Sequence, residues 1–177
     1  MARITLIEKG RAAIVLRNLY DFAEKQFGVV PNLFKAMAHR PELLVTFANF
    51  YKELWTGGGV DLKTKEIAGL RAAFLNGCQY CSTRHTASGK RAGLSDEQIQ
   101  ALREGGYATS AAFDEREKAV ARLAEKVTTH PNAVTDEDIR QLRKWFGEAD
   151  LVELNLIIGT MNLTNRFNEC FAVELEK

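Results

Sequence analysis

Asn76-Gly77-Cys78-Gln79-Tyr80-Cys81-Ser82-Thr83-Arg84-His85 is the stretch whose reading decides the fold. Asn76-Gly77 ends one helix, and the next starts near Cys78 and runs to about Gly93. At 100° per residue, Cys78, Cys81 and His85 fall within about 60° of arc, so all three face one way. His85 stands one turn beyond Cys81, within reach of its thiol directly or through one water. Cys78 lies in the first turn, where unpaired N–H groups and the helix dipole favour a thiolate. The pair is therefore polarised, with one sulfur beside a base and the other beside a helix end.

The preceding helix extends this pattern. Asp61 is a suitable N-cap, and the segment runs to Asn76-Gly77. Its apolar arc comprises Leu62, Ile67, Leu70, Ala73 and Phe74, and Glu66 falls in the middle of that arc. A lone carboxylate on a buried face is costly unless paired or protonated. If the two helices fold back at Gly77, Glu66 lies roughly 16 Å and His85 roughly 12 Å from the turn. Side chains span that difference, so a chain Glu66–His85–Cys81 is geometrically allowed. In it a carboxylate orients a base and the base deprotonates a thiol.

Helical spacing continues outward in both directions. Leu43, Leu44, Phe47, Phe50, Tyr51 and Leu54 form one helix face, with Pro41 in its first turn and Gly57-Gly58-Gly59 as its stop. An earlier helix covers about Ala12 to Phe27, before Gly28-Val29-Val30-Pro31. Ser95 to Gln98 reads as a capping box for a short helix. Others run from about Phe113 to Thr129, from the Thr135 cap to about Phe146, and from Glu148 to about Cys170. No sustained period-2 segment occurs, so the expected class is all-α, a single-domain multi-helix bundle over residues 1–177 with its core at about 28–171.

Composition narrows the function. The chain has 177 residues, with 24 Lys+Arg against 23 Asp+Glu. That balance argues against a phosphate-tracking surface, so no nucleic-acid partner is expected. Glu8 and Lys9 interrupt the N-terminal apolar run, and no stretch approaches the ~18 apolar residues of a membrane span. The expectation is a cytoplasmic protein without membrane contact, in which the Asn162-Leu163-Thr164 sequon has no use. Three cysteines are too few for a disulfide scaffold. In a reducing compartment a close pair points to redox or metal chemistry.

The alternatives can be weighed on spacing. Ser82 follows the second cysteine where a c-type haem site needs histidine. A thioredoxin motif expects strands, and this neighbourhood is helical on both sides. Cys78, Cys81, His85 and Glu66 also make a four-ligand zinc set that spacing alone leaves open. The blandest reading is two buried cysteines and a satisfied histidine, but it does not explain a carboxylate converging on the same face. The Gly57–Gly59 turn lacks the Lys-Ser/Thr of a phosphate-binding loop.

These residues resemble the carboxymuconolactone decarboxylase family, specifically its alkyl hydroperoxidase D-like peroxidase branch. The resemblance runs through Gly28-Val29-Val30-Pro31-Asn32-Leu33-Phe34, the Glu66 helix, Asn76-Gly77-Cys78 to His85, Ala92-Gly93-Leu94-Ser95 and Asn165-Arg166-Phe167. It implies an all-helical homo-oligomer, trimer or hexamer, with the redox pair at a helix N-terminus. It further implies a peroxidatic Cys81, a resolving Cys78, and Glu66 and His85 as proton relay. Cofactor-free reduction of a small hydroperoxide follows, recycled by a dithiol, either a lipoyl group or a thioredoxin-like protein. One departure is Tyr80, which stands where the best-studied branch has a second histidine. Lactone-decarboxylating members typically lack the cysteine pair, which sets this chain apart from a lyase. A metal-binding helical module, a carboxymuconolactone decarboxylase-like lyase and an oxidant-sensing oligomer without turnover are the alternatives.

Other residues carry plainer expectations. Cys170 is read as a small core residue, and His39 and His130 as solvent-facing. Asn155, Asn162 and Asn165 recur at helical spacing, for pocket lining or buried polar satisfaction. Trp55 and Trp145 are expected to pack, and Arg84 and Arg91 to lie at the surface.

Overall fold

The computed structural model describes residues 2–176. Nine α-helices and four short 3-10 turns make up the regular structure among them, with no strand. The helices are α1 (Arg17–Phe27), α2 (Asn32–Met37), α3 (Pro41–Thr56), α4 (Leu62–Leu75) and α5 (Gln79–Arg91). They continue as α6 (Asp96–Glu104), α7 (Glu115–Thr129), α8 (Asp136–Leu142) and α9 (Glu148–Phe171). The chain divides into two compact units, Met1–Glu53 with Phe167–Lys177, and Leu54–Arg166.

In the first unit, Leu16, Tyr20, Val30, Ala38 and Leu44 form a buried cluster, flanked by Ile7, Phe34 and Met37. The Tyr20 hydroxyl donates to the Ile7 carbonyl at 2.9 Å. Burial, reinforced by Glu8, pushes that phenol up to about 12. Arg3 donates to the Cys170 carbonyl at 2.7 Å, satisfying an orphan acceptor at the end of α9. The expected helix from Ala12 begins instead at Arg17, because Ala12 is extended and Ile14–Leu16 closes as a 3-10 turn. The α2 helix was not foreseen. Its six residues follow Pro31 and are too few to show a period.

The second unit is built round α4. Residues Thr64 to Ala73 are buried without interruption, so the helix is enclosed rather than amphipathic. Asp61 caps it, accepting from the Thr64 N–H at 2.9 Å. Arg71, buried on α4, reaches α6 and α7. It donates to the Leu102 carbonyl at 2.7 Å and to Glu125 Oε2 at 2.6 and 3.0 Å. The Tyr107 hydroxyl completes that cluster on Glu125 at 2.9 Å. The capping box at Ser95 forms as the sequence implies, and Asp114 and Thr135 make further ones. The α8 helix stops at Leu142, one turn short of the expected Phe146.

The α4–α5 hairpin positions the chemistry. Gly77 turns the chain with φ +66°, a left-handed conformation that suits glycine, and Cys78 N–H donates to the Ala73 carbonyl at 3.1 Å. Further along α5, a Cβ on Gly89 would stand 2.8 Å from Leu94 Cδ1, 3.3 Å from Leu70 Cδ1 and 3.7 Å from Glu66 Cβ. The absent side chain lets α5 lie close against α4 at the level of Glu66. At the hairpin tip, Asn76 Nδ2 donates to Asn162 Oδ1 and Asn165 Oδ1, both at 2.9 Å. Two of the three asparagines thus anchor the turn to α9, while Asn155 faces solvent. His39 and His130 are exposed as expected. Cys170 is exposed as well, which corrects its expected place in the core.

Candidate active site

Cys78 is the N-cap of α5, and Cys81 lies in its first turn. Both are buried and unoxidised. Their sulfurs stand 2.9 Å apart, with the Cys78 thiol placed to donate to Cys81. The Cys81 N–H points at Cys78 Sγ from 3.4 Å. The cap that serine or aspartate usually supplies is here made by sulfur, so the residue that starts the helix also belongs to the pair.

His85 lies one turn on, 8% exposed, against a Glu66 that is fully buried. Its Nδ1 donates to Glu66 Oε2 at 2.8 Å. That bond sets the tautomer and leaves Nε2 for the cysteine side of the ring. Burial works against charge on both partners, yet their mutual attraction wins. Glu66 is held below the usual carboxylate range by the His85 charge and by hydrogen bonds from His85, Ser88 and Trp55. His85 is raised above the usual histidine value against burial, chiefly by Glu66 and also by the charge of Cys81, while Arg84 opposes it. The His85–Glu66 contact that the helix arithmetic allows is thus present in space, and Cys81 is near enough for its charge to act on His85.

Trp55 was expected to pack and nothing more. Its indole Nε1 donates to Glu66 Oε1 at 3.2 Å, and its ring lies 5.3 Å from the His85 ring at 51°. Ser88 is the other group that sequence reasoning passed over. It stands three residues beyond His85 on the same face, a spacing that could have flagged it. No such signal marks Trp55, which comes from a different helix. Trp145 is 41% exposed, Arg91 is exposed and Arg84 half-buried.

The zinc arrangement gains nothing from the geometry. Among the described residues no group of three or more His, Cys, Asp or Glu side chains is disposed to hold a metal ion. Glu66 spends one oxygen on His85 and the other on Trp55. No helix among the described residues is long and apolar enough to cross a membrane.

The model of the carboxymuconolactone decarboxylase family matches residues 41–126, a span that contains Glu66, Cys78, Cys81 and His85. The uncharacterised protein YdfG of Bacillus subtilis (strain 168) is 29% identical over 110 residues, covering 62% of this chain and 74% of that protein. An alkylhydroperoxidase AhpD core structure, an uncharacterised peroxidase-related protein of Ralstonia eutropha JMP134, superposes with a TM-score of 0.89 at 22% identity, covering 99% of this chain and 93% of the other. The debrominase Bmp8, solved with 2,3,4-tribromopyrrole, gives 0.83 at 22% identity, covering 99% and 94%. The chain thus matches the carboxymuconolactone decarboxylase family model over residues 41–126 and shares the all-helical fold of the alkylhydroperoxidase AhpD core structure.

Proposed function

We propose that the protein is a cofactor-independent thiol peroxidase that reduces a small organic hydroperoxide at Cys81. One observation carries this reading. Two thiols not joined in a disulfide lie 2.9 Å apart at a helix N-terminus, one turn before a histidine whose Nδ1 is held by a buried carboxylate at 2.8 Å. Metal binding or inert packing has no need of that combination.

Each step follows from the chemistry of these groups. His85 Nε2 takes the Cys81 proton, and Glu66 steadies the imidazolium that results. The thiolate attacks the distal peroxide oxygen and breaks the O–O bond, giving Cys81 sulfenic acid. The leaving alkoxide takes a proton from His85 and departs as an alcohol. Cys78 then attacks the sulfenic sulfur, forming the disulfide and releasing water. A dithiol reductant, a lipoyl group or a thioredoxin-like protein, restores both thiols by exchange and leaves as its own disulfide. In sum, hydroperoxide plus dithiol give alcohol, water and oxidised dithiol. Tyr80 stands between the cysteines, so the relay runs through His85 and Glu66 alone. Assembly into a trimer or hexamer is part of the proposal, and the exposed Ile14, Leu43 and Leu163 supply apolar surface for it.

The deciding experiment is turnover of a hydroperoxide panel with dihydrolipoamide or reduced thioredoxin as the dithiol. Multiple turnovers by the wild type, abolished in Cys81→Ser, are expected. Consumption of a single equivalent of peroxide and no more would make the protein an oxidant sensor instead.

A further inference from the structure

The α5 helix carries a second polar face beside the redox pair. Gln79, Ser82, Thr83 and Thr86 line a cavity of about 560 Å³ together with Phe74 and Arg103. That volume lies in the ~300–1,000 Å³ range of small-molecule sites. Its mouth is rich in donors: three hydroxyls, a carboxamide and a guanidinium, with no carboxylate among the lining residues.

Two observations point to an absent acceptor. The Thr86 hydroxyl oxygen is buried without a hydrogen-bond partner, a costly state for a polar group. The Arg103 guanidinium sits 4.5 Å from the centre of the Phe74 ring, and no ion pair neutralises it among the described residues. Stacking on an aromatic face fixes a guanidinium plane while leaving its N–H fork open. A carboxylate matches that fork with two parallel hydrogen bonds and also accepts from a hydroxyl.

We propose that this cavity binds the carboxylate end of the hydroperoxide substrate, with Arg103 as its charge partner and Thr86 as a further donor. The inference rests on the peroxidase reading and names its substrate class: an organic hydroperoxide that bears a carboxylate. Gly77, Gln79 and Ser82, which line the cavity, each adjoin one of the two cysteines in sequence, so the cavity borders the turn that carries the redox pair.

The test compares cumene hydroperoxide with its para-carboxylate, which share one reacting end. In the wild type, kcat/KM for the carboxylate is expected to exceed that for the neutral peroxide about tenfold, mainly through KM, as a charged hydrogen bond is worth. Arg103→Gln should bring the ratio near one, and Thr86→Val should lower it less. A wild-type ratio near one, or a ratio unmoved by Arg103→Gln, overturns the inference while the peroxidase reading stands. If neither peroxide is consumed, the peroxidase reading fails, and calorimetric titration with the para-carboxylated cumyl alcohol decides the cavity. Binding about tenfold weaker in Arg103→Gln sustains the carboxylate site; equal affinity or no binding overturns it.

Discussion

The Trp55 indole donates to Glu66 Oε1 at 3.2 Å, on the oxygen that His85 leaves free. A fully buried carboxylate is tolerated when its lone pairs are filled by donors, and here two aromatic N–H groups from different helices share the work with Ser88. Trp55→Phe keeps the ring and removes the donor. The variant should lose about 1–3 kcal/mol of stability, the cost of leaving a buried acceptor unsatisfied. Denaturant titration checks this, and an unchanged midpoint would mean that Ser88 or water takes the place of the indole.

Glu66→Gln tests the relay itself. Without the carboxylate, His85 loses the main influence that raises it, so less imidazolium is available to stabilise a Cys81 thiolate. Alkylation of Cys81 by iodoacetamide at neutral pH should slow by about tenfold. An unaltered alkylation rate would disconnect Glu66 from the sulfur.

The same pair shapes stability against pH. Glu66 is lowered in the folded state, so its contribution is present above the ordinary carboxylate value of about 4.3 and is lost as pH falls through its folded value. His85 is raised, so its contribution is full below about 6.5 and is lost as pH rises through its folded value. Both act together between about 4.3 and 6.5. The melting-temperature gap between wild type and His85→Gln should be widest in that window and shrink on either side. A gap that is flat with pH would contradict the ion pair.

Much of this site could be read from the chain, and the reason is local. Cys78, Cys81 and His85 share one helix, so the 3.6-residue period fixes their common face without any tertiary knowledge. Glu66 was recognisable because a carboxylate on an apolar arc needs a partner, and the hairpin at Gly77 brings the nearest one. Trp55 was not recognisable, since its link to Glu66 joins α3 to α4 across the Gly57–Gly59 turn and leaves no periodic mark. Lys65 and Arg71 were hidden for a different reason. Charges on a helix ordinarily mark its solvent face, whereas α4 is enclosed on all sides and satisfies both internally. Short pieces escaped as well. The six residues of α2 and the 3-10 turn before α1 fall below the length at which a period can be counted.

The two sulfurs should give different phenotypes. Cys81→Ser removes the nucleophile and should abolish peroxide consumption. Cys78→Ser leaves nothing to condense with the oxidised sulfur, so one equivalent of peroxide should yield a sulfenic acid that dimedone traps, seen as one adduct by mass spectrometry. The reverse pattern would exchange the roles of the pair. The 2.9 Å sulfur separation requires little movement for the disulfide to close, so the wild type should show almost no trapped adduct.

Lys65 is a further buried charge, and its environment predicts how it will respond to substitution. Its Nζ donates to the Leu54 carbonyl at 2.7 Å and the Gly57 carbonyl at 2.6 Å, and it pairs with Glu153 Oε1 at 2.6 Å. The other oxygen of Glu153 accepts from the Gly59 N–H at 3.0 Å. One ammonium therefore fixes the end of α3, which carries Trp55, and the glycine turn after it. Lys65→Met leaves the Glu153 carboxylate facing two carbonyls without its counter-ion, and breaking a buried pair on one side costs about 3–5 kcal/mol. Adding Glu153→Gln removes the stranded charge, so the double variant should be more stable than Lys65→Met alone. A double-mutant cycle by denaturant unfolding measures the coupling. If the two losses simply add, the ammonium serves the Leu54 and Gly57 carbonyls and owes nothing to Glu153.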